Sequence, residues 1–223
     1  MASHNRVVIE TGSKKVFASA IDWPGWSRSG RTEDEALATL ATYTARYRAV
    51  AERAAVPGVT AAATGFDVMD RVDGGGATDF GVPGHPSAHE DEPMTEAECA
   101  RQVRLLQACW ATFDDVASTV SAELRKGPRG GGRDRDEIVL HVFESERNHV
   151  RKLGLRTPAS AMMSRAGLLE QRDVVCQAIE RINTFGETPG TWPLRYALRR
   201  IGWHVLDHAW EMEDKDRGHG DDR

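Results

Sequence analysis

Two kinds of apolar spacing divide the chain. Near the start, Val7 to Glu10 and Val16 to Ile21 are short runs rich in β-branched and aromatic residues, separated by Thr11-Gly12-Ser13. Runs of that length around a turn signal predict a β-hairpin. "WPGW" ends the second run, because Pro24 cannot donate a ladder bond and Gly25 permits a turn. Thr32 then reads as an N-cap, with Glu35 three residues on as its capping-box partner and acids through the first turn. Leu37, Leu40, Tyr43 (or Thr44) and Tyr47 follow at helical spacing, so this helix would lie on the strands until Val56-Pro57-Gly58 stops it. "FDVMDRVDGGG" reads as a further strand with a glycine-rich exit.

Beyond a loop-like stretch, residues 74–91, the spacing changes to three and four. Val103, Leu106, Trp110, Phe113, Val116 and Val120 mark a helix over 94–124, broken by "KGPRGGGR". A second helix is predicted over 136–153, ended by Gly154 and Pro158. A third spans 163–185, with Leu168, Leu169, Val175, Ile179 and Ile182 on one side. After "GETPG" a fourth covers 192–213, where Leu194, Leu198, Ile201, Val205, His208 and Met212 step by three and four. Four helices with short connections predict a four-helix bundle. The expected fold is therefore an α+β N-terminal domain over 1–73, a linker over 74–92, an all-α bundle over 93–215 and a solvated tail over 216–223.

Composition narrows the function classes. Of the 223 residues, 40% are hydrophobic and 28% charged, a globular balance. The net charge of −5, with basic residues interleaved among acids, argues against nucleic acid as a partner. Cys99, Cys109 and Cys176 are odd in number and lack CxxC spacing, so small buried side chains in a reducing compartment are expected. "MASHNRVVIETG" has no signal-peptide pattern and no stretch is long enough to span a bilayer, so a cytoplasmic protein without a membrane role is expected.

The chemistry concentrates in histidines. His204 and His208 are one helical turn apart, which lets both imidazoles reach one ion. The chain has eight histidines, and such a pair also occurs on ordinary bundle helices, so a third ligand from another helix decides the matter. The second helix offers His141 and His149, rotated from one another by roughly 80°, and position alone does not choose between them.

"DEIVLHVFESER" followed downstream by "LRRIGWHVLDHAWEME" resembles the DinB/YfiT-like superfamily over residues 94–215. That resemblance implies a four-helix bundle holding a metal through a histidine of the second helix and an HxxxH pair on the last. The ligands it implies are His141, His204 and His208, with His149 outside the pattern. Three neutral imidazoles leave a position open for water or substrate, and they suit zinc, nickel or iron alike. The resemblance further implies a thiol-dependent S-transferase or isomerase, in which the metal holds a low-molecular-weight thiol as the nucleophile toward an electrophilic substrate. The Arg-, Ala-, Gly- and Asp-rich composition hints at a high-GC source, for which mycothiol would be that thiol. Glu144 and Asp207 are candidates to orient the imidazoles, against the plainer reading that they face water or pair with arginines. Arg199 and Arg200 invite a substrate carboxylate, against salt bridges on a solvated face. Trp203 and Trp210 share a face that would pack on another helix or on the N-terminal region.

"FASAIDWPGWSRSGRTEDEALATL" is similar to the HicB-like fold, through Asp22, Pro24, Gly25, Gly30, Thr32, Glu35, Ala36 and Leu37. These are turn and cap residues, so they speak to fold and not to activity. The alternative function is accordingly a non-catalytic binding or regulatory protein whose HicB-like domain takes a partner. A homodimer is plausible for a bundle of this kind.

Overall fold

The computed structural model describes residues 5–59, 65–128, 131–158, 160–161, 164–186 and 190–218. Met163, the expected start of the third helix, and residues 219–223 of the expected tail lie outside them. The fold is α+β, a mixed sheet followed by helices. Strands β1 (Asn5–Thr11), β2 (Val16–Ala20), β3 (Ser27–Gly30) and β4 (Phe66–Asp73) form one sheet in the order β3-β2-β1-β4. β1 pairs antiparallel with β2, and β2 with β3, whereas β4 runs parallel to β1. A parallel neighbour needs a crossover. It contains α1 (Glu33–Thr42) and α2 (Thr44–Arg53).

Two local features differ from the sequence expectation. β3 has no apolar periodicity in "SRSG", yet it pairs with β2 after the turn that Gly25 makes at φ +96°. The expected single helix after Thr32 breaks at Tyr43. Around the break, the hydroxyls of Thr42 and Thr44 bond back to the carbonyls of Thr39 and Ala41, each at 2.7 Å. Such bonds compete with the helical ladder. The break turns the Tyr43 ring onto Trp210 at 5.1 Å between centroids.

The stretch 74–92 is also more ordered than a linker. It carries α3 (Gly76–Phe80) and a 3-10 turn (Ala88–Glu90). Buried Glu10 of β1 holds it, accepting from Thr78 Oγ1 at 2.5 Å and from the backbone of Gly84 and His85 at 3.0 and 3.2 Å.

Four long helices follow: α4 (Glu96–Thr119), α5 (Arg135–Arg151), α6 (Arg165–Phe185) and α7 (Leu194–Lys215). α4 packs on α6 and α7, and α5 packs on α7. Thr95 with Glu98 caps α4, and Asp134 with Glu137 caps α5. On α6, Leu168, Val175, Ile179 and Ile182 are buried while Leu169 turns outward, 45% exposed. No helix among the described residues is long and apolar enough to cross a membrane.

α7 is buried on nearly every side. Leu198, Ile201, Val205 and Met212 of the predicted stripe are buried, but Trp203, Leu206 and Trp210 are buried as well. The sheet and its turns cover them: Phe17 of β2 meets Trp203 edge-on at 6.1 Å. Arg28 of β3 lies 3.8 Å over the Tyr43 ring and 4.4 Å over that of Trp210, and pairs with Asp207 at 2.5 Å. A Cβ on Gly202 would stand 3.1 Å from Gly25 N and Pro24 C. The turn therefore rests backbone-to-backbone on α7, two residues before His204. Buried apolar residues from Val7 to Met212 form one cluster.

Candidate metal centre

The three histidines are brought together by two packed helices. α5 packs on α7, buries Ile138, Val142, Glu146, His149 and Val150, and carries His141 half-buried at the edge of that face. α7 carries His204 and His208 one turn apart, with its depth and rotation set by the Gly202 contact. One nitrogen from each of His141, His204 and His208 lies within 4.8 Å of the others. The ring centroids are 5.1 Å apart for His141–His204, 5.0 Å for His141–His208 and 4.7 Å for His204–His208. His204 is buried; His141 and His208 are half-buried, so the cluster is reachable from their side.

Nε2 of His204 is 3.3 Å from Nε2 of His141. This is long for an N–H donor bond. It matches the separation of two ligands on a tetrahedral ion with metal–nitrogen bonds of about 2.0–2.1 Å, which places them roughly 3.3–3.4 Å apart. The donor set therefore fits a divalent cation of borderline softness.

Electrostatics suit this role. Burial first, and then the charges of His208, His149 and Arg200, hold His204 far below the usual imidazole value. His141 is lowered too, by burial and then by His208 and Arg133. Both rings are consequently neutral at pH 7, the form that ligates a metal.

The outer partners differ from those expected. Asp207 engages Arg28 and no imidazole. Glu144 is exposed and lines an open cavity of about 520 Å³ with Arg147, Asn148, Arg151, Arg156 and Thr157; its charge reaches His141 without a hydrogen bond. The acceptor on the trio is Glu211, whose Oε2 lies 2.7 Å from His208 Nδ1 while its Oε1 accepts from Lys215 Nζ at 2.5 Å. The bond from His208 and that from Lys215 pull Glu211 down to about 2. With Nδ1 held by this carboxylate, His208 presents Nε2 as its free lone pair. The i, i+3 spacing in "HVLDHAWE" was the available signal for it.

His149 is buried between Trp192, at 5.5 Å, and His204, at 5.3 Å between ring centroids. Burial, then Arg200, lowers it to about 3. Neither arginine expected on a solvated face is exposed. Arg199, 3% exposed, donates to Glu90 at 2.6 and 3.0 Å and to His85 O at 3.1 Å. Arg200, 8% exposed, lies 4.6 Å over the Trp203 ring. The three cysteines are free and buried, and none joins the histidine trio.

Comparison of the chain with protein-family models, curated proteins and solved structures found no match, so the histidine cluster is read from its own geometry.

Proposed function

We propose that the chain binds one divalent metal ion through His141, His204 and His208, and that helices α4 to α7 act as a DinB-like four-helix bundle around it. The observation that carries this reading is the convergence of three imidazoles from two helices, two of them held neutral by burial, with one pair at tetrahedral ligand spacing. A solvated surface cluster would keep ordinary imidazole values and loose geometry. This one is seated by a backbone contact at Gly202 and braced by Glu211.

The activity proposed is a thiol-dependent S-transfer or isomerisation using a low-molecular-weight thiol such as mycothiol; its support is the resemblance of "VLHV" and "HVLDH" to the superfamily motifs. When bound, the metal supplies the positive charge that stabilises a thiolate at neutral pH. The chain's own residues position it: Glu211 fixes the His208 ring, and burial keeps His204 unprotonated. The N-terminal sheet with α1 and α2 is read as a HicB-like accessory unit that backs α7.

Metal analysis of protein purified without a histidine tag tests the site. One zinc, nickel or iron per chain is expected, falling to background in a His204→Ala/His208→Ala double variant. No bound metal, or the same content in the variant, refutes the site and favours the non-catalytic alternative.

A further inference from the structure

Four arginines are buried among the described residues: Arg28, Arg172, Arg199 and Arg200. Three of them have carboxylates, with Arg28 on Asp207, Arg172 on Asp114 and Glu146, and Arg199 on Glu90. Arg200 is the exception, with no acid at ion-pair distance among the described residues. Its Nη1 is buried without a hydrogen-bond partner, and its side chain hydrogen-bonds to the Tyr196 hydroxyl, a neutral group. An uncompensated guanidinium in the interior is costly, because burial removes its water and nothing negative replaces it.

Arg200 stands one turn before His204 on the same side of α7, where residues i and i+4 are neighbours. Its guanidinium lies over the Trp203 ring, and its charge reaches His149 and His204, lowering both. Burial pulls Arg200 itself down to about 10, so it stays cationic at neutral pH. The same neighbourhood holds three more buried nitrogens without partners, Trp203 Nε1, His149 Nδ1 and His204 Nδ1. An indole donor, unpartnered imidazole nitrogens and an unneutralised cation thus gather beside the histidine trio. The missing complement is a single negative charge with planar acceptor geometry, which a carboxylate supplies.

We propose that Arg200 receives the carboxylate of a small-molecule ligand whose other end reaches the metal at His141, His204 and His208. This inference rests on the metal reading above and adds the substrate class: a carboxylate-bearing molecule, held at one end by Arg200 and presented at the other to the ion. Arg199 does not share the role, since Glu90 already neutralises it.

The test uses the full chain loaded with cobalt(II) and two thiol probes of similar size, mercaptoacetate and 2-mercaptoethanol. Binding of either is followed by the sulfur-to-cobalt charge-transfer band. The wild type should bind mercaptoacetate on the order of tenfold more tightly, the worth of one charge-assisted contact. In Arg200→Gln this preference should fall to about one, and in Arg200→Lys, which keeps the charge without the planar fork, it should be intermediate. If Arg200→Gln does not fold, a reduced preference in Arg200→Lys carries the same conclusion. An equal affinity of the wild type for both thiols, or an undiminished preference in the folded variants, overturns the assignment of Arg200 while leaving the metal site standing. Failure of the wild type to take up cobalt overturns the metal reading, and this inference with it.

Discussion

Replacing Glu90 by alanine should destabilise the protein more than any surface change. The Glu90 carboxylate accepts twice from Arg199, at 2.6 and 3.0 Å, and once from the Ser87 backbone at 2.9 Å. Both side chains of the pair are only 3% exposed. Removal leaves a buried guanidinium whose remaining contacts, His85 O at 3.1 Å and Ser19 Oγ at 3.4 Å, are neutral. Breaking a buried pair from one side costs about 3–5 kcal/mol, a large part of the roughly 5–15 kcal/mol that holds a domain together. The backbone N–H of Ser87 also loses its acceptor, which adds to the loss. Urea unfolding followed by tryptophan fluorescence measures this, since Trp203 is within a turn of Arg199. The midpoint should fall at an unchanged slope. A double variant, Glu90→Ala with Arg199→Met, should recover much of the loss because the orphaned charge is gone. A Glu90→Ala variant within about 1 kcal/mol of wild type would refute the reasoning, because the buried charge would then have found water or another partner.

Three further outcomes are expected. Glu211→Gln should weaken metal binding by about 10–100-fold with little loss of fold, as measured by competition with a chromophoric chelator, since it removes the charge that braces His208. Gly202→Ala should destabilise by about 1–3 kcal/mol in urea melts despite alanine's better helix propensity. Its Cβ would meet Gly25 N and Pro24 C at 3.1 Å, and that turn is pinned by the Tyr47 hydroxyl donating to Pro24 O at 2.8 Å. Cys109 and Cys176 should resist iodoacetamide at pH 8 in the folded protein and react in urea. Burial raises both thiols, Cys176 to about 11, so its thiolate fraction at pH 8 is about one in a thousand.

Much of the candidate site was legible because helical spacing is a local property. The i, i+4 relation of His204 and His208 and the apolar positions around His141 survive any packing. What the pattern could not show depends on neighbours distant in sequence. α7 reads as a helix with one apolar stripe, yet Arg199, Trp203 and Trp210 are buried because the sheet closes over its other side. Asp207 and Glu211 look equivalent beside the histidines. Only the placement of Arg28 on β3 assigns the first to a salt bridge and leaves the second for His208. β3 escaped notice because "SRSG" has no apolar residue; pairing with β2 makes it a strand. The stretch 74–92 reads as a linker by composition, whereas its order comes from Glu10 and Arg199, each far away in the chain.

X-ray absorption at the metal edge of the zinc-loaded, untagged protein tests the central claim most directly. Three imidazole nitrogens at about 2.0–2.1 Å are expected, with one light-atom position exchangeable for sulfur when a thiol is added. A first shell that keeps fewer than three imidazoles in the wild type, or one that is unchanged in the His204→Ala/His208→Ala variant, would contradict it.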